Sequence, residues 1–132
     1  MQSKTAARRR LRGGRPAIGM LEDVMWICMN DAYLSIVADK DDPARLLVRA
    51  RVKGDIERVF PEIKVRESDR ADYVYRAFID RRRVAEALAE RVATIQYDSF
   101  KDTVEEEDRH AAYLDIWSRM RRLQQVRLGL RK

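Results

Sequence analysis

The sequence predicts an α+β protein. A small antiparallel sheet in the order ββαββα is packed by two or three helices, ending in a long C-terminal helix. Three observations predict it. Residues 45–52, RLLVRARV, put Leu46, Val48, Ala50 and Val52 on one face and Leu47, Arg49 and Arg51 on the other, the period of a half-buried strand. Residues 81–95, RRRVAEALAERVATI, instead line up Val84, Leu88, Val92 and Ile95 at helical spacing, with Ala85 beside them. Segments of the two kinds follow one another along 132 residues, enough chain for one core of modest size.

Order is expected to begin near Met25. The stretch MWICMNDAYLSIVAD is rich in β-formers, has a turn signal at Asn30-Asp31, and predicts a strand over 32–38. Residues 39–43, DKDDP, read as a polar turn. After the strand at 45–52, Gly54-Asp55 opens a short helix, DIERVF, with Asp55 as its cap and Pro61 as its stop. Ile63 to Glu67 alternates again, with Ile63 and Val65 inward and Lys64 and Arg66 outward. A polar turn over 68–72 leads to a strand over 73–79 with bulky residues on both faces, as a central strand has. The helix over 81–95 and a loop, YDSFKD, come next. The last helix is expected over 103–128, with Thr103 and Glu106 at capping-box spacing and a buried stripe of Tyr113, Ile116, Trp117, Met120 and Leu123. VRARVKGDIERVF and YRAFIDRRRVAEAL faintly echo each other as strand, basic turn, helix.

Charge divides the chain more sharply than the net +6 suggests. Residues 1–20 carry six basic groups and no acidic one, and residues 118–132 carry six more with none. Without these ends the chain has 16 basic against 22 acidic groups, a body at −6. A uniformly basic nucleic-acid-binding domain does not have this distribution. Residues 1–19 lack apolar periodicity and read as a basic, disordered leader ahead of a single domain over 20–132. Met20 and Met25 are both plausible alternative starts. No apolar run reaches the length of a membrane span, and the basic start is not followed by the apolar segment of a secretory signal. The single cysteine, Cys28, fits a reducing, cytoplasmic setting.

The chemistry-bearing motifs are sparse. There is no glycine-rich phosphate loop, GxSxG, HExxH or CxxC, so no catalytic residue, cofactor or metal site is predicted. Glu107 and His110 form one Glu-x-x-His, where di-iron bundles need two plus further glutamates. Cys28 lies in an apolar stretch and reads as a structural thiol. Two candidate surfaces remain. Glu105, Glu106, Glu107 and Asp108, with Phe100 in the preceding loop, could meet a protein partner, although acid at a helix start also serves the helix dipole. Arg49, Arg51, Lys64, Arg66 and Arg76 fall on the outward faces of three strands and could hold nucleic acid if those strands are neighbours. Tyr73 and Tyr75 alternate with Arg76 and are expected on the opposite face.

WICMNDAYLSIVADKDDPARLLVRAR, GDIERVFP, ADYVYRAFI and YDSFKD followed by DRHAAYLDIWSRM carry a resemblance over about residues 25–124. Here the chain resembles a family of small uncharacterised proteins from bacterial chromosomes, plasmids and phages. The resemblance implies a small soluble protein associated with mobile elements. Members of that family begin near Met25, which makes the leader an appendage; no catalytic residue carries over. Together these readings lead to a non-enzymatic interaction protein with an acidic body and a protein partner. The alternative is a nucleic-acid-binding accessory protein that uses the basic ends and the sheet arginines.

Overall fold

A computed structural model describes residues 24–130. The leader expected over 1–19 lies outside the described residues. The elements are β1 (Met25–Cys28), β2 (Tyr33–Ala38), β3 (Arg45–Ala50), α1 (Asp55–Val59), β4 (Arg66–Glu67), β5 (Tyr75–Asp80), α2 (Arg81–Ala93), a 3₁₀ turn (Lys101–Thr103) and α3 (Glu107–Arg127). The strands form one antiparallel sheet in the order β1-β2-β3-β5-β4. The α+β class therefore holds, and the described order gains a strand: β1 pairs with β2 ahead of the expected ββαββα. The turn at Asn30-Asp31 folds MWIC back on YLSI, with Met29 N–H donating to the Ala32 carbonyl.

Alternation decides what the sheet buries. Leu34, Ile36, Val48, Ala50, Ala77 and Ile79 all point to one side. Ile56, Val59 and Phe60 from α1 and just after it, with Val84 and Ala87 of α2, close over them. Ile63 and Val65 pack against this core, although only Arg66–Glu67 is paired as strand. β5 lies between β3 and β4, the interior position expected of it. The turn after β2 is held by its own carboxylates. Asp39 Oδ1 accepts from Asp41 N–H, Asp42 Oδ1 accepts from Ala44 N–H, and Arg45 Nε donates to Asp39 at 2.8 Å.

Three expectations need correction. Val92 and Ile95 are exposed, because α2 leaves the core after Leu88. Thr103 does not cap α3: its hydroxyl donates to the Phe100 carbonyl within the 3₁₀ turn, and the helix starts four residues later. Of the stripe expected to be buried on α3, only Tyr113 is buried; Ile116, Trp117, Met120 and Leu123 are exposed. The helix is buried against the body at Arg109 and Tyr113; further on its apolar side chains are exposed, with Ile116 beside Tyr33 and Val52 at the rim of a groove and Lys101 4.3 Å over the Trp117 ring.

Gly54 sits at the N-cap of α1 with φ +94°, the left-handed region that a side chain disfavours. A Cβ there would meet only the Arg58 guanidinium, 3.9 Å away, so the cost of adding one is backbone strain and not a clash. Gly54→Ala is expected to lower stability by about 1–2 kcal/mol, read as a shift of the urea midpoint at unchanged m-value.

Candidate functional site

Two polar constellations stand out, and they do different work. The first is buried. Asp55 is fully buried at the first turn of α1, and its carboxylate does not cap that helix as expected. It accepts from Arg109 Nη2 at 2.6 Å and Nη1 at 3.0 Å, from Arg58 Nη1 at 2.9 Å and from Tyr33 N–H at 2.9 Å. Arg109 Nε donates to Glu106 at 2.5 Å. One helical turn on, the Tyr113 hydroxyl donates toward the Met29 and Ala32 carbonyls at 2.9 and 3.1 Å. Burial opposes the charge on Arg109, but its hydrogen bonds to Asp55 and Glu106 outweigh this and raise its pKa further. This network joins α3 to α1 and the β1–β2 turn.

It also absorbs part of the expected partner surface. Glu106 bonds Arg109 and lies 3.9 Å from Arg58, and Asp108 Oδ1 accepts the Arg109 backbone N–H. Phe100 stacks on Tyr113 with ring centroids 5.7 Å apart. Only Glu105 and Glu107 of the acidic run are exposed without a hydrogen-bond or ion-pair partner among the described residues. His110 donates its backbone N–H to the Glu106 carbonyl as an ordinary helix residue. Among the described residues, no group of three or more His, Cys, Asp and Glu side chains is placed to hold a metal ion. No described helix is long and apolar enough to cross a membrane.

The second constellation lies on the side of the sheet away from α1 and α2. The register Trp26↔Ser35↔Arg49↔Arg76↔Arg66 runs straight across all five strands. Three arginines therefore stand side by side on β3, β5 and β4, roughly 5 Å apart at their backbones. Like charges directly opposite are destabilising in a sheet, and neither Arg66 nor Arg76 has a carboxylate partner among the described residues. Arg49 Nη2 donates to the buried Ser35 hydroxyl at 2.8 Å. The Nε atoms of Arg49 and Arg76 are buried without a hydrogen-bond partner among the described residues. Burial pulls the Arg49 pKa below its ordinary value, and the opposing Arg76 adds to this against a partial offset from Tyr73.

Aromatic rings alternate with these cations. Arg45 lies 4.6 Å and Arg66 5.9 Å from the Phe78 ring centre. Tyr73 lies under both Arg49, at 4.5 Å, and Arg51, at 3.9 Å. The expectation that Tyr73 faces away from the arginines is thus corrected. Residues 71–74 form bends ahead of β5, so the strand's alternation does not reach back to Tyr73; Tyr75 keeps to the core side with Ala77. Val24, Trp26, Arg49, Arg51, Asp72 and Tyr73 line a shallow groove of about 540 Å³ at one end of the face. Trp26 is 67 % exposed and Phe78 40 % exposed, with no described helix across them. Of the five predicted arginine-face residues, Arg49, Arg66 and Arg76 share one row. Arg51 sits beside it, bonded to the Asp72 carbonyl and carboxylate. Lys64 is exposed ahead of β4 and outside the row.

Tyr33 joins the two constellations. Its backbone N–H is bound to Asp55, and its side chain faces Tyr73. Burial, then the neighbouring Tyr73 and Cys28, push its pKa up to about 12. A folded-state pKa above the unfolded value of 10.0 favours the native state below pH 10, and that contribution is lost as pH rises through 12. Stability is therefore expected to fall between pH 10 and 12, and the fall is expected to shrink in Tyr33→Phe. Chemical denaturation across that range, with phenolate absorbance near 295 nm as an approximate marker of ionisation, measures both.

No family model, curated protein or solved structure matches this chain.

Proposed function

We propose that this protein is a non-enzymatic binding protein whose open sheet face holds single-stranded nucleic acid. The observation that carries the reading is the arginine row, Arg49, Arg76 and Arg66, which has no carboxylate partner among the described residues, interleaved with Phe78 and Tyr73 and ended by Trp26. Phosphates would neutralise the row and accept hydrogen bonds from its guanidinium groups. Exposed aromatic rings give unpaired bases a surface to stack on, which a duplex does not need. The acidic remainder of the body limits the contact to this face. The resemblance adds a setting to this proposal: a cytoplasmic protein of mobile elements or phages.

The test is a salt titration of single-stranded DNA and RNA binding, in the full chain and in a version beginning at Met20. Binding that survives the shorter start and prefers single strands over duplex supports the reading. Binding lost entirely with residues 1–19 assigns it to the leader's six charges. The second reading, a protein partner docked on the acidic run, then takes precedence, and exposed Glu105 and Glu107 favour it.

A further inference from the structure

The arginine face does not stop at the sheet. Arg51 lines two hollows. One is the shallow groove with Trp26 and Tyr73. The other is a cleft of about 350 Å³ between the ends of β2 and β3 and the flank of α3. The two adjoin at Arg51, where Tyr33 stands beside Tyr73, so a strand lying on the sheet face can run from the first into the second.

The cleft differs in chemistry from the face. Its walls are apolar, with Tyr33 and Val52 on the sheet side and Ala112 and Ile116 on the helix side. Val52 is 47 % and Ile116 42 % exposed, so this apolar surface is open. The carboxylates of Glu106 and Asp108 also line it, and the one cation between its walls, Arg109, is taken up by Asp55 and Glu106. Asp108 Oδ1 accepts the Arg109 backbone N–H, and Asp108 Oδ2 has no hydrogen-bond partner among the described residues. A phosphate would be repelled by these carboxylates. A flat ring with an N–H donor on its edge fits instead: the apolar walls take the ring, and Asp108 takes the donor.

Free cations stand only at the mouths. Arg51 is placed where the cleft meets the sheet face. Arg119 follows Ala112 and Ile116 on the same side of α3, at spacings of four and three, and is exposed without an ion-pair partner among the described residues. Apolar walls and an acceptor inside, with cations at either end, match one unstacked nucleotide whose base enters and whose phosphates stay out.

We infer that this cleft holds one base of the single strand bound on the sheet face, a base whose exocyclic amino group donates to Asp108. The inference rests on the sheet-face reading and adds a sequence preference to it. Cytosine carries an amino donor where uracil carries a carbonyl, whose oxygen would face the carboxylate.

Competition between short cytidine and uridine oligomers for the full chain tests it, because the two carry the same backbone charge. Cytidine is expected to bind about fivefold more tightly. Asp108→Asn keeps the acceptor for the Arg109 N–H but sets an amide N–H toward the base, and is expected to erase the preference. Ala112→Trp fills the cleft from an exposed position, and is expected to weaken cytidine binding about tenfold with its circular dichroism retained. Equal binding of the two oligomers by the wild-type chain, or a preference that persists in Asp108→Asn, overturns the inference. Wild-type affinity in Ala112→Trp overturns it too; if Trp26→Ala and Arg76→Leu still weaken binding, the sheet face stands and only the cleft is lost. A full chain that binds neither oligomer overturns both readings.

Discussion

Replacing Asp55 by Ala is expected to cost the fold about 3–5 kcal/mol, the largest single-residue effect predicted for this protein. The reason is what would be left behind. Arg109 is 7 % exposed, and its guanidinium has no water to turn to once both hydrogen bonds to Asp55 are gone. The Tyr33 N–H loses its acceptor at the same time, and Arg58 loses a partner. A domain of this size is stable by roughly 5–15 kcal/mol, so the variant is expected to lie close to the unfolding threshold. Asp55→Asn keeps the shape and one acceptor but brings an NH₂ against two cations, and is expected to recover only part of the loss. The double variant Asp55→Leu/Arg109→Leu is expected to be more stable than Asp55→Ala, because it removes the unpaired charge along with its partner. Urea denaturation of the set measures the coupling. If Asp55→Ala unfolds at the wild-type midpoint, the network does not anchor α3 as described.

The second large effect separates stability from binding. Arg76 faces Arg49 on one side and Arg66 on the other, and its buried Nε has no hydrogen-bond partner among the described residues. Arg76→Leu is therefore expected to raise stability by roughly 0.2–1 kcal/mol through relief of like-charge repulsion alone. The same change is expected to weaken single-strand binding about tenfold. Arg49→Leu shares the binding loss and has the opposite effect on stability, because the fully buried Ser35 hydroxyl loses its partner. Removing Arg49, Arg66 and Arg76 together is expected to reduce the log–log salt slope by about 2, at roughly 0.7 per phosphate neutralised on a single strand. Trp26→Ala is expected to cost about 1–3 kcal/mol of binding with little change in that slope, since stacking releases no counterions. A stabilised Arg76→Leu that binds as well as wild type would sink the proposed interface and leave the row without a function.

Much of the fold was legible in the sequence because burial writes period two or period 3.6 directly into the side chains. RLLVRARV specifies β3 and the outward side of Arg49 by its alternation alone. Helix α2 and the turn at 39–43 were equally local. β1 was missed: its four residues carry no alternation of their own, and Met25 and Trp26 stay exposed at the sheet edge. The exposed stripe of α3 was read as core, because helical spacing shows that a face is apolar and says nothing about what covers it.

By itself the sequence determined the α+β class, the charge segregation along the chain and the inward or outward side of the β3 residues. Those properties depend on neighbours one to four positions away. Only the tertiary structure decided that β5 inserts between β3 and β4, which turns three separated arginines into one row. It alone brought Asp55 to Arg109, 54 positions apart, and bent the chain at 71–74 so that Tyr73 joins the cationic face. Strand order and long-range ion pairs depend on which segments meet across the core, and local periodicity carries no record of that choice.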